Sequence, residues 1–132
     1  MTEIDKVALI YIQDRRILTA RSKGKDKYYI PGGKREAGEN DTATLIREIK
    51  EELNVDVIPS SIQFCGIFKA QADSHPEGKI VRMTCYSALF EGELTPMSEI
   101  EELSFMSSAD AKRCSAVDEI IFKHLLDEGL ID

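Results

Sequence analysis

Residues 31–57 read PGGKREAGENDTATLIREIKEELNVDV, a glycine-rich loop running into a short helix. Asn40 or Asp41 is the expected cap, with Thr42 to Leu53 as the helix body. Asn54 is the expected stop, because asparagine is second only to glycine in tolerating the left-handed backbone that ends helices. Glu48, Glu51 and Glu52 fall within little more than one turn, and at about 100° per residue they fill one arc roughly 100° wide. Leu45, Ile46, Ile49 and Leu53 form the stripe beside that arc. The helix is therefore expected to bury one side and to carry an acidic ridge at the edge of the core. Before it, two glycines after Pro31 let the backbone bend sharply and approach a ligand closely. Carbonyls exposed in such a turn can also ligate a cation.

Bare, such a ridge is unfavourable. Neighbouring carboxylates repel by about 1 kcal/mol in water and roughly 3 kcal/mol at an effective dielectric near 20. A divalent cation relieves the repulsion, and hard oxygen ligands suit Mg²⁺ or Mn²⁺. The alternative, for an isolated E-x-x-E-E, is a solvated acidic face.

Working outward, Lys6 to Gln13 is rich in β-branched and aromatic residues and reads as a strand. Asp14-Arg15-Arg16 turns it into a second, Ile17 to Ala20. Arg21 to Lys27 (RSKGKDK) is a basic loop, either an exposed connection or a contact for phosphates, since its sign is opposite to the ridge. Tyr28-Tyr29-Ile30 reads as a short strand ended by Pro31-Gly32-Gly33. Beyond the helix, Val55 to Ile58 is a short strand, and Phe64 to Ala72 pairs with Ile80 to Phe90 as a hairpin. Val81, Met83, Cys85 and Leu89 alternate there with Arg82, Thr84 and Tyr86, which suits a sheet with one more buried face. Glu101 to Met106 is a last strand, and Ser115 to Glu128 a closing amphipathic helix with Gly129 beyond it. Two helices with a mixed β-sheet between them make an α/β/α sandwich the simplest architecture.

The 132 residues are enough for one domain with a real core, expected over 1–132. A formal charge of -7 argues against polymeric nucleic acid as a partner. A small polyanion stays open if metal ions neutralise its site. The apolar run from Val7 to Ile12 is far too short for a membrane span, and residues 1–12 do not show the basic region and cleavable apolar segment expected of a secretory signal. Cys65, Cys85 and Cys114 are widely spaced and form no C-x-x-C pair, so they read as thiols in a reducing compartment. The expected location is cytoplasmic.

From Gly33 the residues resemble the Nudix box, G-x5-E-x7-R-E-U-x-E-E-x-G-U, where U is a bulky apolar residue. Gly33, Glu39, Arg47, Glu48, Ile49, Glu51, Glu52 and Val55 fall on it in register. Asn54 stands where the family has glycine, a mild departure because asparagine adopts the same backbone conformation. The resemblance to the Nudix hydrolase family implies an α/β/α sandwich. It also implies metal-dependent hydrolysis of a nucleoside diphosphate linked to another group, with Mg²⁺ or Mn²⁺ as cofactor. It makes Glu48, Glu51 and Glu52 the expected metal ligands, with a carbonyl from Gly33. Glu48 is the first candidate to orient or deprotonate the attacking water, and Glu52 and Arg47 complete the catalytic set. Arg47, beside Glu39 and Glu51, would orient the acids, and Glu39 would be its partner or an outer ligand.

Other residues are candidates by position. Arg21, Lys34, Tyr28 and Phe68 are candidate substrate contacts, and Lys23, Lys25, Lys27 and Arg35 could steer phosphates. Glu101 or Glu102 would supply a further acid, against exposed acids at a strand entry. His75 reads as a loop histidine, and His124 as surface or packing. The expected partner is a small-molecule nucleotide, with no membrane and a homodimer left open. A nucleoside triphosphate, damaged or non-standard ones included, is the first expected substrate. ADP-ribose or another nucleotide sugar is the alternative, and a non-catalytic nucleotide-sensing module the third reading.

Overall fold

The computed structural model describes residues 3–71 and 78–132. Its organising strand is β1 (Glu3–Ile10), whose Val7 to Ile10 are all buried. Side chains alternate between faces along a strand, so Val7 and Leu9 point one way and Ala8 and Ile10 the other. Val7 and Leu9 join a core with Leu45, Ile49 and Leu53 of the first helix, α1 (Asp41–Leu53). Ala8 and Ile10 join a second with Val117, Ile121, Phe122 and Leu125 of α2 (Ala116–Asp127). A strand covered on both faces reads as a near-continuous apolar run, which is what residues 7–12 are. The expected α/β/α layering is the observed one.

The strands β2 (Ile12–Gln13) and β3 (Arg16–Ser22) follow β1. The turn between them is Asp14-Arg15, both left-handed with φ of 53° and 61°, so Arg16 already belongs to β3. Two left-handed residues give the hairpin turn whose twist matches its strands. After β4 (Gly32–Lys34) and α1 come β5 (Asp56–Val57), β6 (Gln63–Gln71), β7 (Ile80–Ser87), β8 (Phe90–Glu91) and β9 (Ile100–Met106). The central sheet has the order β4-β1-β7-β6, with β1 and β7 parallel and the other pairs antiparallel. The expected hairpin is the β6–β7 pair, whose connecting residues 72–77, His75 among them, lie outside the described residues.

Four sequence expectations are corrected. Gly32–Lys34 is not only the end of a strand but a strand itself, paired with β1 so that Gly33 lies opposite Val7. Residues 28–30 form no strand, making only isolated bridges from Tyr28 to Cys114 and from Tyr29 to Ala20. The sheet is also not single, because β2, β3 and β9 form a separate antiparallel sheet and β5 pairs with β8 alone. In β7 both faces are covered, since Met83 and Cys85 join the α2 core while Tyr86 packs on the α1 core. Leu89, expected to continue the buried set, lies past the strand end and is exposed.

Candidate active site

The helix that carries the acids is well defined at both ends. Asn40 caps α1 with its side chain, which accepts from the Ala43 N–H at 2.8 Å. Asn54 ends it in the left-handed region, φ 58° and ψ 34°, and donates its N–H to the Lys50 carbonyl. Just before the helix, Arg35 ties the loop down, bonding Asp41 at 2.6 Å and Asp5 of β1 at 2.8 Å.

The two glycines are needed for contact. A Cβ on Gly32, whose φ is +151°, would lie 2.0 Å from the Val7 carbonyl oxygen across the β1–β4 pairing. A Cβ on Gly33 would lie 2.4 Å from the Glu48 carboxyl carbon, so the loop lets that carboxylate rest directly on the backbone.

Arg47 organises the acidic ridge. Its guanidinium makes a bidentate pair with Glu39 at 2.7 and 2.9 Å, reaches Glu48 at 2.9 Å, and donates to the Lys34 carbonyl at 3.0 Å. Glu51 lies at 3.4 Å, with its side chain half exposed. The hydrogen bonds from Arg47 hold the Glu39 carboxyl well below the usual range, at about 2. Glu52 behaves in the opposite way. Only 9% exposed, its carboxyl is pushed well above the ordinary range by burial first and by Glu48 second, against a hydrogen bond from the Gly32 N–H at 3.3 Å.

A carboxyl raised by burial first and by a neighbouring carboxylate second is in the position a cation would relieve, so the donor chemistry here fits a hard divalent ion. Among the described residues, no three acids, histidines or cysteines converge tightly enough to hold a metal as they stand. Arg47 donates to Glu48 at 2.9 Å and reaches Glu51 at 3.4 Å from the side of the loop.

A cleft of about 330 Å³ opens beside this ridge, lined by Gly32, Glu52 and Glu99 together with Lys6, Lys25 and Asp118. Asp118 stands on the first turn of α2 and is 1% exposed. Its Oδ2 accepts from Ser115 Oγ at 2.8 Å and from the Ile30 N–H at 3.4 Å, whereas its Oδ1 has no protein partner. Burial pushes this carboxyl up to about 7.

The structure brings Gly33, Glu39, Arg47, Glu48, Glu51 and Glu52 together. Of the other candidates it brings Lys25 to the cleft, whereas the additional acids and the remaining proposed substrate contacts lie elsewhere. Glu102 accepts from Arg21 and Tyr28 on the far side of β3, because alternation places Arg21 opposite to the cleft-lining Ala20 and Ser22. Glu101 is exposed on β9 and does not line the cleft. Glu99 is the acid that does. Tyr28 is buried between two guanidiniums, those of Arg113 at 4.9 Å and Arg21 at 5.9 Å. Phe68 packs with His124 on the α2 face, and Lys34 is exposed at the end of β4. Three cleft residues escaped the sequence reading: Glu99, Lys6 and Asp118. For Asp118 a signal existed, an acid three residues after Ser115 and one after Val117, but it also suits an ordinary helix start.

The NUDIX domain family model matches residues 4–125. An ADP-ribose pyrophosphatase of Methanocaldococcus jannaschii is 27% identical over 114 residues, covering 84% of this chain and 66% of its own. The chain thus spans just under two thirds of the length of that curated relative. The solution structure of the E. coli ORF135 protein superposes with a TM-score of 0.75 at 23% identity, over 96% of this chain and 91% of that one. A mutator MutT protein from Bacillus halodurans superposes at 0.71 with 26% identity, over 92% and 81%.

Proposed function

The chain belongs to the Nudix hydrolase family, its NUDIX domain spanning residues 4–125, and on that premise we propose that residues 1–132 act as one metal-dependent pyrophosphohydrolase domain. The proposed substrate is a nucleoside triphosphate, damaged or non-standard ones included, cleaved to a mononucleotide and pyrophosphate. One observation carries the reading: Glu52, whose carboxyl meets that of Glu48, borders a cleft in which a buried carboxyl, Asp118, keeps one oxygen unpaired. The first feature suits the phosphate end of a nucleotide and the second suits a base edge, where hydrogen-bond donors and acceptors are displayed. A carboxyl at about 7 presents either a donor or an acceptor there near neutral pH.

Glu48, Glu51 and Glu52, with the Gly33 carbonyl, are the groups proposed to hold Mg²⁺ or Mn²⁺. Bound there, the ion supplies charge neutralisation on the phosphate oxygens and on the leaving oxygen. Arg47 restrains Glu48 and Glu51 from the side of the loop. Glu48, resting on Gly33, orients the water and takes its proton as the new oxygen–phosphorus bond forms and the anhydride bond breaks. Lys6 and Lys25 add positive charge along the cleft. The three cysteines are free thiols, in keeping with a reducing, cytoplasmic setting.

A second reading is favoured by one specific finding, the 27% identical ADP-ribose pyrophosphatase. On that reading the products are AMP and ribose 5-phosphate. A panel of nucleoside triphosphates, ADP-ribose and nucleotide sugars, assayed with Mg²⁺ and resolved by ion-exchange chromatography, separates the two by product. Glu52→Gln should lower turnover by roughly a hundredfold or more. It should stay folded, because glutamine is isosteric with the neutral carboxyl that the site already favours. No turnover with Mg²⁺ or Mn²⁺ and no metal binding by titration would end the enzyme reading. Metal and nucleotide binding without turnover would make the nucleotide-sensing module the better one.

A further inference from the structure

A second charged cluster joins the first turn of α1 to the sheet. Asp5 precedes the apolar run of β1 and, by strand alternation, shares its α1 face with Val7 and Leu9. Parallel pairing sets Asp5 beside Arg82 of β7, whose Nη1 reaches the Asp5 Oδ1 at 3.3 Å. Arg35 Nη1 meets the other Asp5 oxygen at 2.8 Å, and Arg35 Nε donates to Asp41 Oδ1 at 2.6 Å. Tyr86 of β7 donates its hydroxyl to Asp41 Oδ2. Two guanidiniums and two carboxylates balance here, so the cluster is a brace and not a place for a ligand.

What the brace holds is the glycine-rich loop. Arg35 follows β4 directly, two residues after Gly33. Its fork ties that loop to two separate bodies, β1 through Asp5 and α1 through Asp41. The Arg35 and Asp41 side chains are only 26% and 28% exposed, so water screens their pair less than a surface one. The loop has another tie, from Arg47 to the Lys34 carbonyl at 3.0 Å, but that guanidinium also bonds Glu48 and reaches Glu51. Arg35 bonds Asp5 and Asp41 instead, away from the ridge acids. It is therefore the tie that does not depend on where Glu48 and Glu51 lie.

We propose that Arg35 is a positioning residue for the divalent-cation site, holding the backbone at Gly33 in place beside Glu48. This rests on the reading above that Gly33, Glu48, Glu51 and Glu52 hold the ion. Gly33 and Glu48 belong to different elements, β4 and α1, yet a Cβ on Gly33 would lie only 2.4 Å from the Glu48 carboxyl carbon. A loop free to drift from α1 would separate them. Loss of a group that orients metal ligands costs roughly ten- to a hundredfold in metal affinity.

The test is a Mn²⁺ titration of the full chain, read from the electron paramagnetic resonance signal of the free ion, with urea unfolding alongside. Arg35→Met should weaken Mn²⁺ binding by roughly tenfold or more. The sign separates positioning from charge, because removing one cation would by Coulomb's law alone tighten the binding of another. Arg82→Met removes the same charge from the other side of Asp5 without touching the loop, and should not weaken Mn²⁺ binding. Arg35→Lys keeps the charge but cannot bridge two acids, so it too should weaken binding, by less than Arg35→Met. Lower stability in Arg35→Met at unchanged or tighter Mn²⁺ affinity would mark a merely structural brace and overturn the proposal. Equal weakening in Arg82→Met would overturn it as well. Should Arg35→Met not fold, Arg35→Lys decides, and an unchanged affinity there counts against the proposal. A parent chain that binds no Mn²⁺ would end the metal reading and this proposal together, whereas binding by the parent with no loss in the Arg35 variants ends this proposal alone.

Discussion

At the scale of single residues, Gly32 and Gly33 are adjacent and do different work. A methyl on Gly32 meets backbone, the Val7 oxygen at 2.0 Å, and it also penalises the +151° φ. Backbone in a paired strand cannot step aside, so Gly32→Ala should cost at least about 2 kcal/mol and lower the thermal midpoint. A methyl on Gly33 meets only the end of a side chain, the Glu48 carboxyl at 2.4 Å, which can swing away. Gly33→Ala should keep most of its stability and lose activity, because the displaced carboxylate is the proposed base. Thermal melts and turnover, measured on both variants, should therefore separate fold from chemistry.

Asp118 makes a pH prediction. Its folded value of about 7 lies above the ordinary 3.8, so the folded state binds the extra proton between those values. Below about 4 the group is neutral in both states and contributes nothing. As pH rises toward 7 stability is lost, by at most about 4 kcal/mol. Asp118→Asn keeps an acceptor for Ser115 and Ile30 and removes the ionisation. Its stability relative to the parent should rise across pH 4–7 and level off above, as read by urea unfolding at several pH values. A flat difference would contradict the burial argument.

Among the elements, α1 was the most legible, because its signals are local. Capping residues, apolar stripe and acidic arc all lie within one stretch, and Arg47 meets its partners within thirteen positions. Asn54 tests how interchangeable the terminating residue is. At φ 58° and ψ 34° glycine fits as well or better, so Asn54→Gly should be neutral or stabilising by up to about 1 kcal/mol with activity unchanged. Asn40→Ala, which removes the 2.8 Å cap, should cost about 1 kcal/mol. The strands were less legible in detail. A glycine pair reads as a turn, yet β4 forms there because β1 offers an open edge at Val7, a fact about another segment. Glu102 was drawn from the acids near β9, but strand alternation and the cross-strand Arg21 decide that it faces away and leaves Glu99 in the cleft.

For the whole molecule, the layers followed from one strand apolar on both faces and two amphipathic helices, whereas the pairing of β1 with β7 in parallel did not. That pairing joins residues more than seventy positions apart and carries no local mark. Asp118 was hidden for the same reason, since its place in the cleft depends on how α2 crosses the sheet. The far end of α2 offers a contrast on which the layered view can be tested. Ile131 is fully buried in the α2 core. Arg15 of the left-handed turn holds the same segment from outside, bonding Asp132 at 2.6 Å and the Gly129 carbonyl at 2.9 Å. Arg15 and Asp132 are both more than half exposed, so their ion pair should contribute no more than about 1 kcal/mol, and Arg15→Ala should fall within that. Ile131→Ala removes packed apolar volume and should cost about 2–5 kcal/mol by urea unfolding. Neither side chain lines the cleft, so turnover well below the unfolding midpoint should be unchanged in both. If Ile131→Ala instead altered turnover in the folded protein, the α2 layer would be coupled to the cleft through Asp118, and the two faces of β1 would not be energetically separate.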